Sequence, residues 1–321
     1  MRGAVAAPPA TMRAAVLRGP GTVEVAAARV PEPAPRQVLF RVEGCGVCGS
    51  NVPVWTGEAG VEFPLAPGVP GHEAWGVVEA CGAEVEGLEP GTRVAALSQA
   101  AFAELDVADA DALVPLPPGL DATPVPAEPL ACAVNVLRRA DVRAGEAVAV
   151  VGVGFLGALL VQLCARAGAD VVALSRRPFS LDVAERMGAR AAESVEDAFA
   201  LNGGEGFARV LECGGAQETL DAASALVAVR GRLVVAGYHQ GGPRTVDVQG
   251  WNWRGIDVVN AHERDPHRYA EGIREAARLA AAGELDVAAL VTHRFPLERL
   301  DAAFEAAATR PDGFVKALVV P

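Results

Sequence analysis

The stretch Ala147-Val148-Ala149-Val150-Val151-Gly152-Val153-Gly154-Phe155-Leu156-Gly157 decides how this 321-residue chain folds. Five apolar residues in a row read as a strand covered on both faces. Gly152, Gly154 and Gly157 then have the spacing of a dinucleotide loop, and the apolar run from Phe155 to Ala167 reads as the helix that the loop opens. In such a loop the first glycine permits a tight turn and the second lets the backbone approach a pyrophosphate. The third lets helix and strand pack closely. Phe155 and Leu156 begin the helix, where the backbone dipole attracts phosphate.

Working toward the C-terminus, short strands are expected over Asp170–Leu174, Arg209–Leu211, Arg232–Ala236 and Asp257–Asn260, with helical segments between them. That alternation predicts an α/β chain with a doubly wound parallel sheet. Toward the N-terminus, Leu130–Arg139 reads as a helix. Residues 12 to about 125 read as short strands such as Val23–Val25, Val38–Val42, Gly76–Ala80 and Arg93–Leu97, broken by Gly and Pro into a β-rich domain of barrel type. The expected division is a dinucleotide-binding domain over 131–265 and a catalytic domain over 12–130 and 266–321. The latter closes with two helices and a strand over Phe314–Val319. The Ala/Pro-rich residues 1–11 read as a disordered tail, with Met12 as an alternative start.

Composition narrows the function classes. The net charge of -12 argues against nucleic acid or an anionic membrane as partner. No apolar run reaches the roughly 20 residues of a membrane span. The N-terminus lacks the apolar core of a signal peptide, so the six scattered cysteines read as reduced thiols of a cytoplasmic protein.

The chemistry starts with Cys48 in Gly46-Val47-Cys48-Gly49-Ser50-Asn51 and His72 in Gly71-His72-Glu73, 24 positions later. A thiolate and an imidazole suit a zinc ion, and a catalytic zinc takes a third protein ligand while keeping one position open. Glu73, Glu128 and Cys132 compete for that place. Glu128 starts the expected helix, Pro129 suits its first position, and Cys132 lies one turn on. At the cofactor end, an NAD enzyme places Asp or Glu about 20 residues past the glycine loop. This chain has Ser175-Arg176-Arg177 there instead. A serine hydroxyl and two guanidiniums suit a ribose phosphate, so NADP(H) is expected over NAD(H).

The chain resembles the zinc-dependent medium-chain dehydrogenases, the alcohol and polyol dehydrogenase superfamily. Gly71–Val85 (GHEAWGVVEACGAEV) fits the family's zinc signature, Gly46–Ser50 its first ligand motif, and Glu128-Pro129-Leu130 its polyol, sugar and cyclitol branch. The resemblance implies a GroES-like catalytic domain beside a Rossmann domain and one catalytic zinc. It places that ion on Cys48, His72 and either Glu73 or Glu128. It assigns Ser50 the removal of the substrate's hydroxyl proton, and puts the strand ends at Gly237-Tyr238 and Asn260-Ala261-His262 beside the nicotinamide. A small alcohol or carbonyl substrate and a homodimer or homotetramer are also implied. Two departures are visible. Asn51 stands where many members carry an Asp that holds the ligand histidine. Residues 86–131 contain no cysteine, so no second, structural zinc is expected. Trp55, Trp75 and Phe102 are candidates for pocket walls, and core residues otherwise. A metal-free reductase of activated double bonds and a non-catalytic NADPH-binding protein are the rival readings.

Overall fold

The computed structural model describes residues 9–321. The tail reading covers residues 1–11, of which 1–8 lie outside the described residues, while Met12, the alternative start, lies within a strand. Thr11 is already in a strand. Two compact units form. One holds the chain up to Pro129 together with Tyr269–Pro321, and the other holds Leu130–Arg268.

The first unit begins with β1 (Thr11–Gly19) and β2 (Thr22–Arg29), an antiparallel pair. There follow β3 (Gln37–Gly46), α1 (Asn51–Thr56), β4 (Glu73–Cys81), β5 (Arg93–Ala96), β6 (Leu105–Asp109) and β7 (Leu113–Pro115). The chain leaves this unit within α2 (Ala127–Ala140).

The second unit comprises β8 (Ala147–Val151), α3 (Phe155–Arg166), β9 (Asp170–Leu174), α4 (Pro178–Arg186), β10 (Arg190–Ala192) and α5 (Val195–Leu201). It continues with β11 (Phe207–Glu212), α6 (Gln217–Leu226), β12 (Val227–Val235), α7 (Val248–Arg254) and β13 (Asp257–Asn260). The chain returns within α8 (Pro266–Ala281) and ends with β14 (His293–Pro296), α9 (Leu300–Thr309) and β15 (Ala317–Val320).

The second unit's sheet runs β10-β9-β8-β11-β12-β13, and every pairing in it is parallel. Strand order reverses between β8 and β11, so the carboxyl ends of these strands flank a switch point, the place where open α/β sheets bind ligands. The continuous apolar reading of β8 holds: Val148 to Val151 are all buried. β10 has only three residues, too few to show a period, and sequence reading missed it.

In the first unit β3 is central. Its first half pairs with β6, its second half with β15, and its other edge with β4. Val38, Phe40 and Val42 face the main core with Phe102, Leu300 and Phe304, while Leu39 faces a smaller cluster with Met12 and Leu105. Phe304 anchors the main core. Its ring lies 5.6 Å from Phe102, edge-on, and 5.8 Å from Trp55. Burying each such side chain contributes about 1.5–3 kcal/mol. Phe102 and Trp75 are buried and Trp55 packs on this core, so all three contribute to the framework of this unit. The last strand starts three residues later than the apolar pattern suggests. The amides of Val315 and Lys316 donate to Thr292 Oγ1 (2.9 and 3.3 Å) instead of joining a ladder.

Candidate active site

β3 and β4 run antiparallel with Gly46 opposite Glu73. Cys48 lies just beyond the end of β3, and His72 just before the start of β4. The hairpin register therefore brings residues 24 apart to one end of the sheet. Cys48 Sγ, an imidazole nitrogen of His72 and a carboxylate oxygen of Glu73 all lie within 4.8 Å of one another. This is the one such cluster found among the described residues.

Local bonds fix the ligands' orientation. His72 Nδ1 is 2.9 Å from the Pro70 carbonyl, which sets the tautomer that leaves Nε2 without the proton. Asn51 is 1% exposed. Its Oδ1 accepts from the Cys48 amide (2.9 Å), and its Nδ2 donates to the same Pro70 carbonyl (3.1 Å). The asparagine oxygen thus holds the cysteine's backbone, and the Pro70 carbonyl orients the histidine.

Electrostatics mark the cluster as a place for a cation. Burial alone would pull the His72 imidazole down. Its hydrogen bond to Cys48 and the negative charges of Cys48, Glu73 and Glu128 outweigh burial and push it up to about 9. Glu128, half-buried in the first turn of α2, therefore acts on His72, although it lies outside the tight trio. Cys132 falls in the other unit. Cys45 is fully buried. Burial, then the charge of Glu73, pushes its thiol up, so it stays a protonated core residue. A sulfur, an imidazole and a carboxylate around one point match the donor set of zinc.

Sequence reading passed over Lys316. It is buried, its Nζ lies 2.5 Å from Glu73 Oε2, and it donates to the Val47 carbonyl (3.0 Å). Oε2 has no aligned hydrogen-bond donor among the described residues, so the contact is one of charge. The signal was present, since this is the chain's single lysine.

In the second unit the glycine loop joins β8 to α3. Gly152 has φ +94°, which favours glycine. A Cβ on Gly157 would sit 2.1 Å from the Gly152 carbonyl oxygen, so the turn and helix close on each other only without one. A Cβ on Gly154 meets nothing within 4 Å, leaving open space before the helix start at Phe155 and Leu156. That opening fits a phosphate group. At the end of β9, Ser175 Oγ accepts from the Arg177 amide (3.2 Å), and its own proton is left to donate outward. Arg176 is exposed and Arg177 caps α4.

Gly237 and Asn260 stand at the carboxyl ends of β12 and β13, with the Tyr238 and His262 rings 6.3 Å apart. Sequence reading missed Glu212, which is fully buried at the end of β11. Its Oε1 accepts from the amides of Gly214 (2.8 Å) and Gly215 (2.7 Å) and from Thr219 Oγ1 (2.6 Å), and His239 Nε2 lies 2.9 Å from Oε2. Its carbonyl accepts from Gly237 N (2.8 Å). One residue thereby ties the ends of two strands together beside the glycine loop.

Residues 34–118 match the alcohol dehydrogenase GroES-like domain family, and residues 156–281 match the zinc-binding dehydrogenase family. An alcohol dehydrogenase from Cupriavidus necator is 26% identical, over 97% of this chain and 99% of its own length. A sorbitol dehydrogenase from Homo sapiens is 29% identical, over 90% and 91%. A solved structure from Sinorhizobium meliloti 1021, described as a zinc-binding dehydrogenase bound to NADP, superposes with a TM-score of 0.83 at 26% identity. That match covers 98% of this chain and 100% of the other. The enzyme is an oxidoreductase of the alcohol dehydrogenase type. Its GroES-like unit, its parallel-sheet unit and these relatives make the chain a member of the zinc-type medium-chain dehydrogenase superfamily.

Proposed function

We propose that this enzyme is zinc-dependent and moves a hydride between NADP(H) and an alcohol or carbonyl of the secondary alcohol, polyol, sugar or cyclitol type. The observation that carries this reading is the convergence of Cys48, His72 and Glu73 within 4.8 Å. Cys48 and His72 would hold the ion, with Glu128 or Glu73 as the third protein ligand. Zinc supplies Lewis-acid polarisation of the substrate oxygen, and NADP(H) carries the hydride.

The chain's own residues do the rest. Asn51 and the Pro70 carbonyl hold Cys48 and His72 in place. Ser50 makes no side-chain capping bond to α1, so its hydroxyl is available to take the substrate's proton and pass it to water. Pro53, on the next turn, has no group to extend that relay. At the cofactor end, Gly154, Phe155 and Leu156 receive the pyrophosphate at the start of α3. Ser175, Arg176 and Arg177 bind the ribose phosphate in place of the carboxylate that an NAD enzyme carries. The NADP-bound relative supports this preference. Gly237 and Asn260 border the nicotinamide.

The test combines elemental analysis with turnover of an alcohol and ketone panel by wild type, Cys48→Ser and Arg176→Ala. About one catalytic zinc per chain is expected, and Cys48→Ser loses it. Arg176→Ala weakens NADP(H) binding by roughly 10–100-fold, the worth of a charge-assisted hydrogen bond, with NAD(H) unchanged. A zinc-free enzyme that reduces activated double bonds would refute the metal assignment. Unaltered NADP(H) affinity would refute the phosphate clamp.

A further inference from the structure

The chain carries 28 basic residues, and every one except Lys316 is arginine. That single lysine lies just before β15. Its backbone is pinned by Thr292: its amide donates to Thr292 Oγ1 (3.3 Å), and its carbonyl accepts from the amides of Thr292 and His293 (both 3.1 Å). Its side chain, 6% exposed, reaches the Val47 carbonyl at 3.0 Å and Glu73 Oε2 at 2.5 Å. Glu73 is 1% exposed. Space for this contact exists because residue 46 lacks a side chain. A Cβ on Gly46 would stand 1.9 Å from Glu73 Oε2 and 3.0 Å from Lys316 Cε. An ammonium is a compact point charge, and it fits where a planar guanidinium fork, with its bidentate demand on a carboxylate, does not.

We propose that Lys316 is a positioning residue that holds Glu73 as its counter-ion and so withholds that carboxylate from the ion on Cys48 and His72. The third protein position then belongs to Glu128, and the fourth stays open to substrate. The proposal rests on the reading that a divalent ion binds at Cys48 and His72. With Lys316 in place, the formal charges of the Cys48 thiolate, the Glu73 and Glu128 carboxylates, the ammonium and a divalent ion cancel. Without it, Glu73 is a buried carboxylate with no counter-charge of its own, and the nearest cation is the metal. Glu73 then becomes a resident ligand and closes the open position.

The test uses the full chain loaded with Co2+, whose visible spectrum reports coordination, together with chelator competition for Zn2+. Lys316→Met keeps the apolar stem and removes the charge. It is expected to tighten metal binding by on the order of tenfold, the scale of changes next to metal ligands, and to alter the ligand-field bands of Co2+. Lys316→Arg returns both readings only in part. The double variant Glu73→Gln/Lys316→Met removes both charges together and is expected to show the wild-type spectrum. A Lys316→Met protein with wild-type spectrum and affinity overturns the proposal. So does a double variant with altered bands, which would mean that Glu73 is a resident ligand in the wild type. The double variant decides the matter alone if Lys316→Met does not fold. Failure of the underlying reading looks different: the wild type takes up no Co2+, or Cys48→Ser keeps the thiolate-to-cobalt band.

Discussion

Gly46→Ala probes the framework of the metal cluster without replacing Cys48, His72 or Glu73. The added Cβ would lie 1.9 Å from Glu73 Oε2, against the 3.4 Å at which ordinary contact begins. The carboxylate must withdraw by about 1.5 Å, and the 2.5 Å approach to Lys316 opens with it. Breaking a buried ion pair costs about 3–5 kcal/mol, and the lower end applies because neither charge is removed. For a unit of roughly 150–250 residues each kcal/mol lowers Tm by about 2–4 °C, so a fall of about 6–12 °C is expected. Differential scanning calorimetry of chelator-treated protein measures it free of stabilisation by metal. The transition to follow is that of the unit containing Gly46. Gly19→Ala is the control, since a Cβ there meets nothing within 4 Å. A Gly46→Ala protein that melts within about 2 °C of wild type, where the calculation demands at least three times that, would refute the reasoning.

Gly154→Ala should fold normally and lose dinucleotide affinity, because its Cβ enters open space, whereas Gly157→Ala should lose stability, because its Cβ meets the Gly152 carbonyl oxygen at 2.1 Å. Melting curves and NADPH titrations of the pair check this, and equal behaviour in both assays would contradict it. In metal-free protein, His72 has a folded-state value of about 9, above the ordinary 6.5. Its contribution is thus complete below about pH 6.5 and disappears as pH rises through about 9. The unfolding free energy of chelator-treated protein, from urea titrations, should fall across that window by up to about 3 kcal/mol, and His72→Gln should flatten the slope.

Legibility in the sequence follows the range of the interactions. The strand, glycine loop and helix at 147–166 are local, so apolar periodicity and glycine spacing suffice to show them. Cys48, His72 and Glu73 are visible as donor types, and the β3–β4 pairing brings them together. Glu73's partner is not legible, because Lys316 lies at the far end of the chain and reaches it only through the pairing of β15 with β3. By residue type alone, Asn51 is a weaker substitute for a histidine-holding carboxylate. Its single amide in fact satisfies both the Cys48 backbone and the Pro70 carbonyl, a geometry that residue type does not reveal. Glu212 escapes notice for a related reason. A carboxylate closing an apolar strand looks like a strand end facing water, until two glycine amides, a threonine and a histidine are found around it.

A protein whose one ε-amine is 6% exposed and engaged by a carboxylate presents amine-directed chemistry with no accessible side-chain target. Lysine acetylation and lysine-to-lysine crosslinking would pass over its folded side chains, and amine-reactive reagents would be left with the α-amino group alone. Slow labelling of that amine would therefore serve as a clock for local opening at the innermost part of the catalytic unit.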